Sequence, residues 1–114
     1  MPHTDDPLAD IHALAAAYRH RAREHPHLYT VLFGGVQTFD PTGDPVGPLL
    51  DGIDRALAAS TLTGDATSIA LSIWVTLHGL VALELAGALD AATAEATLQS
   101  AIPATLRGWS TAAR

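Results

Sequence analysis

The sequence predicts an all-α domain of about five helices. Alanine is the commonest residue and runs of β-branched residues are few, a composition that favours helix. Apolar side chains recur at steps of three and four residues through most of the chain, and no segment shows the alternation of a strand. The length of 114 residues corresponds to one domain, residues 1–114, with enough chain to bury a core.

The first predicted helix carries one apolar stripe, formed by Leu8, Ile11, Leu14, Ala15, Tyr18 and Ala22. Asp5 or Asp6 can cap its N-terminus, and Pro7 suits the first helical turn. We expect this helix to end near Glu24 or His25, because the residue before a proline disfavours helical geometry.

Two shorter helices are predicted next. The second begins at Pro26 and ends before the glycine pair at positions 34 and 35, and a loop rich in turn residues follows over residues 36–44. The third runs from Pro45 to about Ser60, and Gly47 and Gly52 should each weaken it by roughly 1 kcal/mol relative to alanine. Its inward side chains are expected to be Leu49, Leu50, Ile53 and Leu57.

The fourth predicted helix, residues 66–88 with Asp65 as its cap, contains the most apolar segment of the chain. A helix this apolar on nearly every side should be covered on more than one face. We expect a bulky side to face a core or a pocket, namely Leu71, Trp74, His78, Val81 and Leu85. An adjacent side of mostly small residues should admit another helix, namely Ser72, Val75, Gly79, Ala82 and Ala86. A membrane span is disfavoured, because His78 and Glu84 lie within the segment and neither a basic flank nor an aromatic belt brackets it.

The last predicted helix runs from about Ala91 to Thr111, with Asp90 as its cap. Pro103 should kink it, because the carbonyl of Gln99 loses its donor there. Its apolar stripe is formed by Leu98, Ile102, Leu106 and Trp109.

Charge and composition exclude several classes of function. A net charge of −6 argues against binding a phosphate backbone, so no nucleic acid is expected to bind through this chain. The absence of cysteine excludes disulfides, thiolate metal sites and cysteine nucleophiles. The first ten residues are polar and acidic and do not form a signal peptide, so we expect a soluble cytoplasmic protein.

Histidines supply the few candidates for chemistry. His20 and Glu24, with His25 and His27 nearby, could ligate zinc or nickel, but a solvated helix face that includes Arg19, Arg21 and Arg23 is the favoured interpretation. His78 is interpreted first as a buried histidine with a hydroxyl or backbone partner, second as a ligand contact and last as a base. Phosphate-loop, serine-elbow and zinc-ligand fingerprints are absent, and neither a metal, a cofactor nor an enzymatic activity is predicted.

Residues 15–34 (AAAYRHRAREHPHLYTVLFG) and residues 73–85 (IWVTLHGLVALEL) carry a family resemblance. The first segment resembles the opening of the effector domain of TetR/AcrR-type transcriptional regulators. The second is similar to the Trp…His-Gly motif of one C-terminal domain class in that family. The resemblance extends over most of the chain, from about Leu8 to Trp109.

The resemblance implies a homodimer whose last two long helices form a four-helix bundle with those of the partner. It also implies a cavity for a small apolar or amphipathic effector. The implied cavity residues are Tyr18, Phe33, Phe39, Trp74 and His78. The implied interface residues are Ser72, Gly79, Ala82, Ala86, Leu98 and Ile102.

The helix-turn-helix head that precedes this domain in the family has no counterpart in the sequence, so we expect that this chain does not bind DNA by itself. Three other functions are compatible with the same residues. These are a stand-alone small-molecule-binding helical protein, an enzyme that uses His78, and a purely dimerising module whose cavity is filled by its own side chains.

Overall fold

A computed structural model describes residues 4–27 and 46–111, and the chain forms four α-helices within these ranges. They are α1 (Pro7–Glu24), α2 (Val46–Ala58), α3 (Ala66–Leu85) and α4 (Ala91–Gly108). The all-α prediction is confirmed, and the helix bounds agree with the predicted first, third, fourth and fifth helices to within three residues. Of the predicted second helix only residues 26 and 27 are described, and both are helical.

Aspartates begin three of these helices, as predicted. The carboxylates of Asp6, Asp65 and Asp90 accept hydrogen bonds from main-chain amides three residues further on, at distances of 3.2, 3.0 and 2.7 Å. Each bond satisfies a donor that has no partner within the helix. At Asp90, hydrogen bonds from the backbone and side chain of Thr93 outweigh burial and lower the pKa of the carboxyl. The starts of α1, α3 and α4 are therefore determined by contacts within four residues.

Helix α3 is central, because it packs against α1, α2 and α4. Its most buried side is not the one predicted to face the core. The buried set is Ile69, Ala70, Ile73, Leu77, Leu80 and Val81. Of the predicted bulky side only Val81 is fully buried, whereas Leu71 is exposed and Trp74 and His78 are half-buried.

The apolar composition of α3 has an explanation in this packing. With 20 residues and a mean hydropathy of 1.7, the helix is long and apolar enough to cross a membrane. One such helix is weak evidence for a membrane span, because the core helix of a soluble protein has the same composition. Here three other helices pack against it, but only 33% of the apolar window is buried, so this packing accounts for one side of the helix and leaves another side exposed.

Gly52 is a close-packing position between α1 and α2. A Cβ at this residue would lie 3.0 Å from Cγ1 of Ile11 and 3.8 Å from the main-chain oxygen of Pro7. The glycine weakens α2 as a helix, but it also lets the two helices approach closely. The sequence pattern indicated only the first of these effects.

The end of α4 is attached to the segment between α2 and α3. The amide of Thr63 donates to the main-chain oxygen of Trp109 at 2.8 Å, and an isolated bridge joins Leu62 to Ser110. The indole Nε1 of Trp109 donates to Oγ of Ser72 at 3.0 Å. Gly64, at a φ of +136°, lies under the indole ring, where a Cβ would be 2.8 Å from a ring carbon.

Helix α4 also continues through Pro103 to Gly108.

Candidate functional site

A small apolar cavity lies between α1, α2 and α3. Its volume is about 10 Å³, roughly the space of one water molecule. Ligand pockets typically measure about 300–1,000 Å³, so an organic ligand could enter only if the helices separate. The lining side chains are Ile11, Leu14, Ala15, Tyr18, Leu49, Ile73, Trp74 and Leu77.

Two of the five predicted ligand-binding residues line this cavity. Tyr18 lies on α1 and Trp74 on α3, so the structure brings these two aromatic residues to one site. His78 follows Trp74 by one helical turn, with its ring centroid 6.2 Å from that of the indole, and does not line the cavity. Phe33 and Phe39 lie outside the described residues.

The sequence pattern missed the aliphatic part of the cavity wall. Leu14 precedes Tyr18 by one helical turn, and Leu77 follows Trp74 by three residues. The helical period could have identified both positions as neighbours of the predicted aromatics. Leu49 had no such signal, because α2 meets α1 only in the tertiary structure.

Helix α3 also has an exposed apolar side, which we call the outer side of α3 and define by Leu71, Val75, Gly79, Ala82, Leu83 and Ala86. Val75 is 66% exposed and Leu83 is 50% exposed. A Cβ at Gly79 would meet no atom within 4 Å, and Ala82 and Ala86 are exposed. Three of the predicted interface residues therefore lie on an accessible surface of the chain.

The outer side of α4 carries small residues. A shallow open groove there is lined by Ala92, Thr93, Ala96, Thr97 and Ser100. The turn between α3 and α4 spans residues 86–90, so the two helices form a hairpin of closely linked neighbours.

Two predicted interface residues are buried within their own chain, and a third uses its hydroxyl there. Leu98 and Ile102 are 2% and 0% exposed, because the apolar stripe of α4 packs into the core of its own chain. Ser72 uses its hydroxyl within the chain, where it accepts from Trp109 and donates to the main-chain oxygen of Ile69 at 2.7 Å. Leu98 and Ile102 are therefore not accessible to a partner in this conformation, whereas Ser72 is half-buried and stays a predicted interface residue.

A buried arginine cluster lies where α1 meets the α3–α4 hairpin. Arg19 is 5% exposed, and its Nε and Nη2 donate to Oε1 and Oε2 of Glu84 at 2.8 and 3.0 Å. Its Nη1 donates to Oε2 of Glu95, and its Nη2 also donates to the main-chain oxygen of Ala91 at 3.1 Å. Nε of Arg23 lies 3.3 Å from Oε2 of Glu84.

The interpretation of Arg19 as part of a solvated face is therefore wrong. The residue follows Ala15 by four positions and precedes Ala22 by three, and both alanines belong to the buried stripe of α1. That spacing was the available signal for its burial. Glu84 gave a second signal, because it follows the buried residues Leu77 and Leu80 on the same side of α3.

The histidine-rich end of α1 is exposed. Nε2 of His20 lies 3.1 Å from Oε1 of Glu24, and both side chains are mostly open to solvent. Within residues 4–27 and 46–111, no three histidine or acidic side chains come close enough together to hold a metal ion.

Comparison with known proteins identifies the family of this chain. A family model described as "Tetracyclin repressor-like, C-terminal domain" matches residues 11–105. The matched range contains most of α1, all of α2 and α3, and most of α4. No curated protein and no solved structure matches the chain.

Proposed function

Because the chain belongs to the tetracyclin repressor-like C-terminal domain family, we propose that it is the effector-sensing and dimerisation domain of a TetR-type transcriptional regulator. TetR-like domains generally dimerise and bind small-molecule effectors. The observation that supports effector sensing in this chain is the apolar cavity with Tyr18 and Trp74 on facing helices.

The cavity lining indicates the class of ligand. Its walls are aliphatic and aromatic, so an apolar or amphipathic small molecule fits the chemistry. A cavity of about 10 Å³ must open to admit such a molecule, and a movement of α1 relative to α3 would separate Tyr18 from Trp74. Effector binding should therefore favour a conformation in which the cavity is wider.

The outer sides of α3 and α4 support dimerisation with a second copy of the chain. Val75 and Leu83 are large apolar side chains open to solvent, and small residues beside them allow close helix packing. We propose that these sides form a four-helix bundle with their counterparts in the partner.

DNA binding through this chain is not part of the proposal, since the net charge is −6. We place the protein in the cytoplasm.

Binding of a fluorescent amphipathic probe tests the cavity. We expect 8-anilinonaphthalene-1-sulfonate to bind the native chain and to be displaced by medium-chain alcohols. Ala15→Leu fills the cavity and should abolish binding, whereas Ala16→Leu, at the exposed neighbouring position, should not. Leu49→Ala enlarges the cavity and should strengthen binding. Equal binding by all four proteins would contradict a ligand site between these helices.

Sedimentation velocity tests the dimer. The native chain should sediment as a dimer at micromolar concentration, and Val75→Arg should make it monomeric while its helical circular dichroism stays unchanged. Ala16→Arg, on the exposed side of α1, is the matched control and should remain dimeric. If the native chain is monomeric at every concentration, the proposed dimer is wrong.

A second candidate function has one observation in its favour. The cavity is already nearly filled by the chain's own side chains, as a purely dimerising module requires. The probe experiment separates the two functions, because a dimerising module would form the dimer without binding the probe.

A further inference from the structure

We infer that Arg19 is a positioning residue for dimerisation, which acts from α1 by holding α3 and α4 in the arrangement that a second copy meets. This inference rests on the proposed dimer. Arg19 is itself buried, so a partner chain would not touch it. Its effect would pass through the residues that it binds on the hairpin.

The guanidinium group binds both helices of the hairpin at the same end. Glu84 lies one residue before the last residue of α3, and Ala91 is the first residue of α4. Glu95 follows Ala91 by about one helical turn. One rigid planar group therefore binds the end of α3 and the start of α4 at once, which a single point charge on a flexible stem would not reproduce.

The anchored residues are direct neighbours of the outer sides of both helices. Leu83 precedes Glu84 on α3, and Ala96 follows Glu95 on α4. Adjacent residues of a helix project about 100° apart on the same rigid backbone. A displacement of Glu84 relative to Glu95 therefore moves Leu83 relative to Ala96, and with them the surface that the partner meets.

The other end of the hairpin has a different polar link. There the indole of Trp109 donates to Ser72, which joins the end of α4 to the first half of α3. Between the two links, α3 and α4 pack against each other, and both contribute apolar side chains such as Val81 and Leu98 to the same core. Apolar packing alone tolerates alternative geometries, and buried polar groups can select one of them.

This role predicts that loss of the Arg19 guanidinium weakens association of the dimer while the chain still folds. Loss of the guanidinium should leave a folded chain whose hairpin is less well defined, and the cost should appear in dimer affinity. A merely structural role would lower the free energy of unfolding and leave the dissociation constant of the dimer unchanged.

The test compares Arg19→Lys with Arg55→Lys in the complete chain. Arg55 also binds two carboxylates and one main-chain oxygen, but its partners lie on α1, on α2 and at Thr4. Sedimentation velocity over a concentration series gives the dissociation constant of the dimer. Urea unfolding below that constant gives the stability of the monomer.

We expect Arg19→Lys to raise the dissociation constant about tenfold, since the ammonium group loses at least one charged hydrogen bond across the hairpin. Arg55→Lys should change it by less than about twofold, because sites that share no partner act independently. Equal effects of the two substitutions on dimerisation would overturn the inference. A native chain that does not dimerise would instead overturn the proposed function, and this inference with it.

Glu95→Gln is the second variant if Arg19→Lys unfolds the chain. It keeps the pairing of Arg19 with Glu84 and weakens only the link to α4, at a half-exposed side chain. The dissociation constant should then rise by about threefold, with the native helical content retained. An unchanged constant in this variant would count against Arg19 as the positioning residue.

Discussion

Two arginines near the ends of α1 each bind two carboxylates and one main-chain oxygen, but in different surroundings. Near the C-terminal end, Arg19 binds Glu84, Glu95 and a main-chain oxygen. Near the N-terminal end, the partners are Asp10, Asp51 and a main-chain oxygen, and they surround Arg55. The side chain of Arg19 is 7% exposed and that of Arg55 is 27% exposed.

This difference in burial determines what each cluster can contribute. The cluster at Arg55 is only partly buried, so water screens its ion pairs more than those at Arg19, most of all at the exposed carboxylate of Asp51. At Arg19 the charges have lost most of their water, and removing Glu84 leaves a buried charge that its remaining partners compensate only in part. We therefore expect substitutions in the two clusters to change the free energy of unfolding by very different amounts, although their ion pairs have similar geometry.

Replacement of Glu84 should have the largest effect. The side chain of Glu84 is nearly buried, and Glu84→Ala leaves the Arg19 guanidinium with one half-exposed carboxylate and one carbonyl. We expect the free energy of unfolding to fall by about 3–5 kcal/mol, measured by urea denaturation. Glu24→Ala, at an exposed carboxylate of α1, is the control and should change little. Similar losses for the two variants would mean that burial does not govern the cluster.

Glu95→Gln should have a smaller effect within the same cluster. Its side chain is half-exposed, so water replaces part of the lost interaction with Arg19. A loss of about 1 kcal/mol is expected in the same urea experiment. A loss as large as that of Glu84→Ala would show that the two carboxylates are equally desolvated.

Asp10→Asn tests the cluster at Arg55 through its pH dependence. Burial raises the pKa of Asp10, but hydrogen bonds from Thr4 and Arg55 outweigh it and hold that pKa below the ordinary 3.8. A carboxyl whose folded pKa is lowered stabilises the fold fully above its unfolded pKa and loses this contribution as pH falls towards the folded value.

Native and Asp10→Asn proteins should therefore differ in thermal stability by a constant amount above about pH 5, and the difference should shrink below pH 4. The difference near neutral pH should be smaller than that caused by Glu84→Ala. A difference that grows as the solution is acidified would contradict the assigned direction of the pKa shift.

Asp51→Asn should have the smallest effect. Its carboxylate is mostly exposed and lies four residues before Arg55 on α2, at 3.2 Å from Nε. Pairs of this kind are screened at high salt, so we expect no measurable change in 1 M NaCl and little change at low salt. A salt-independent loss of stability would indicate that the pair is shielded from solvent.

Much of the fold was predictable because its signals are local. The caps at Asp6, Asp65 and Asp90 act on amides three residues away, so reading the chain alone located the starts of α1, α3 and α4. Within the candidate site, the sequence predicted Tyr18 and Trp74 as cavity residues, but it did not predict Leu49 as one. Helical periodicity indicates which residues share a side of one helix, but not which other helix covers that side.

The errors share one physical cause. Leu98 and Ile102 form a stripe that suits either the chain's own core or a partner, and the two outcomes have the same sequence pattern. Arg19 has a long polar side chain that is usually found in solvent, and only the approach of Glu84 and Glu95 makes its burial possible.

By itself, the sequence determined the four described helices and the aspartate caps of three of them, because these depend on composition and on contacts within a few residues. The tertiary structure decided which side of α3 is buried, which cavity residues meet, and how Arg19 is paired. Its partners lie 65 and 76 residues away along the chain. Contacts at that separation depend on how whole helices pack, which no local pattern specifies.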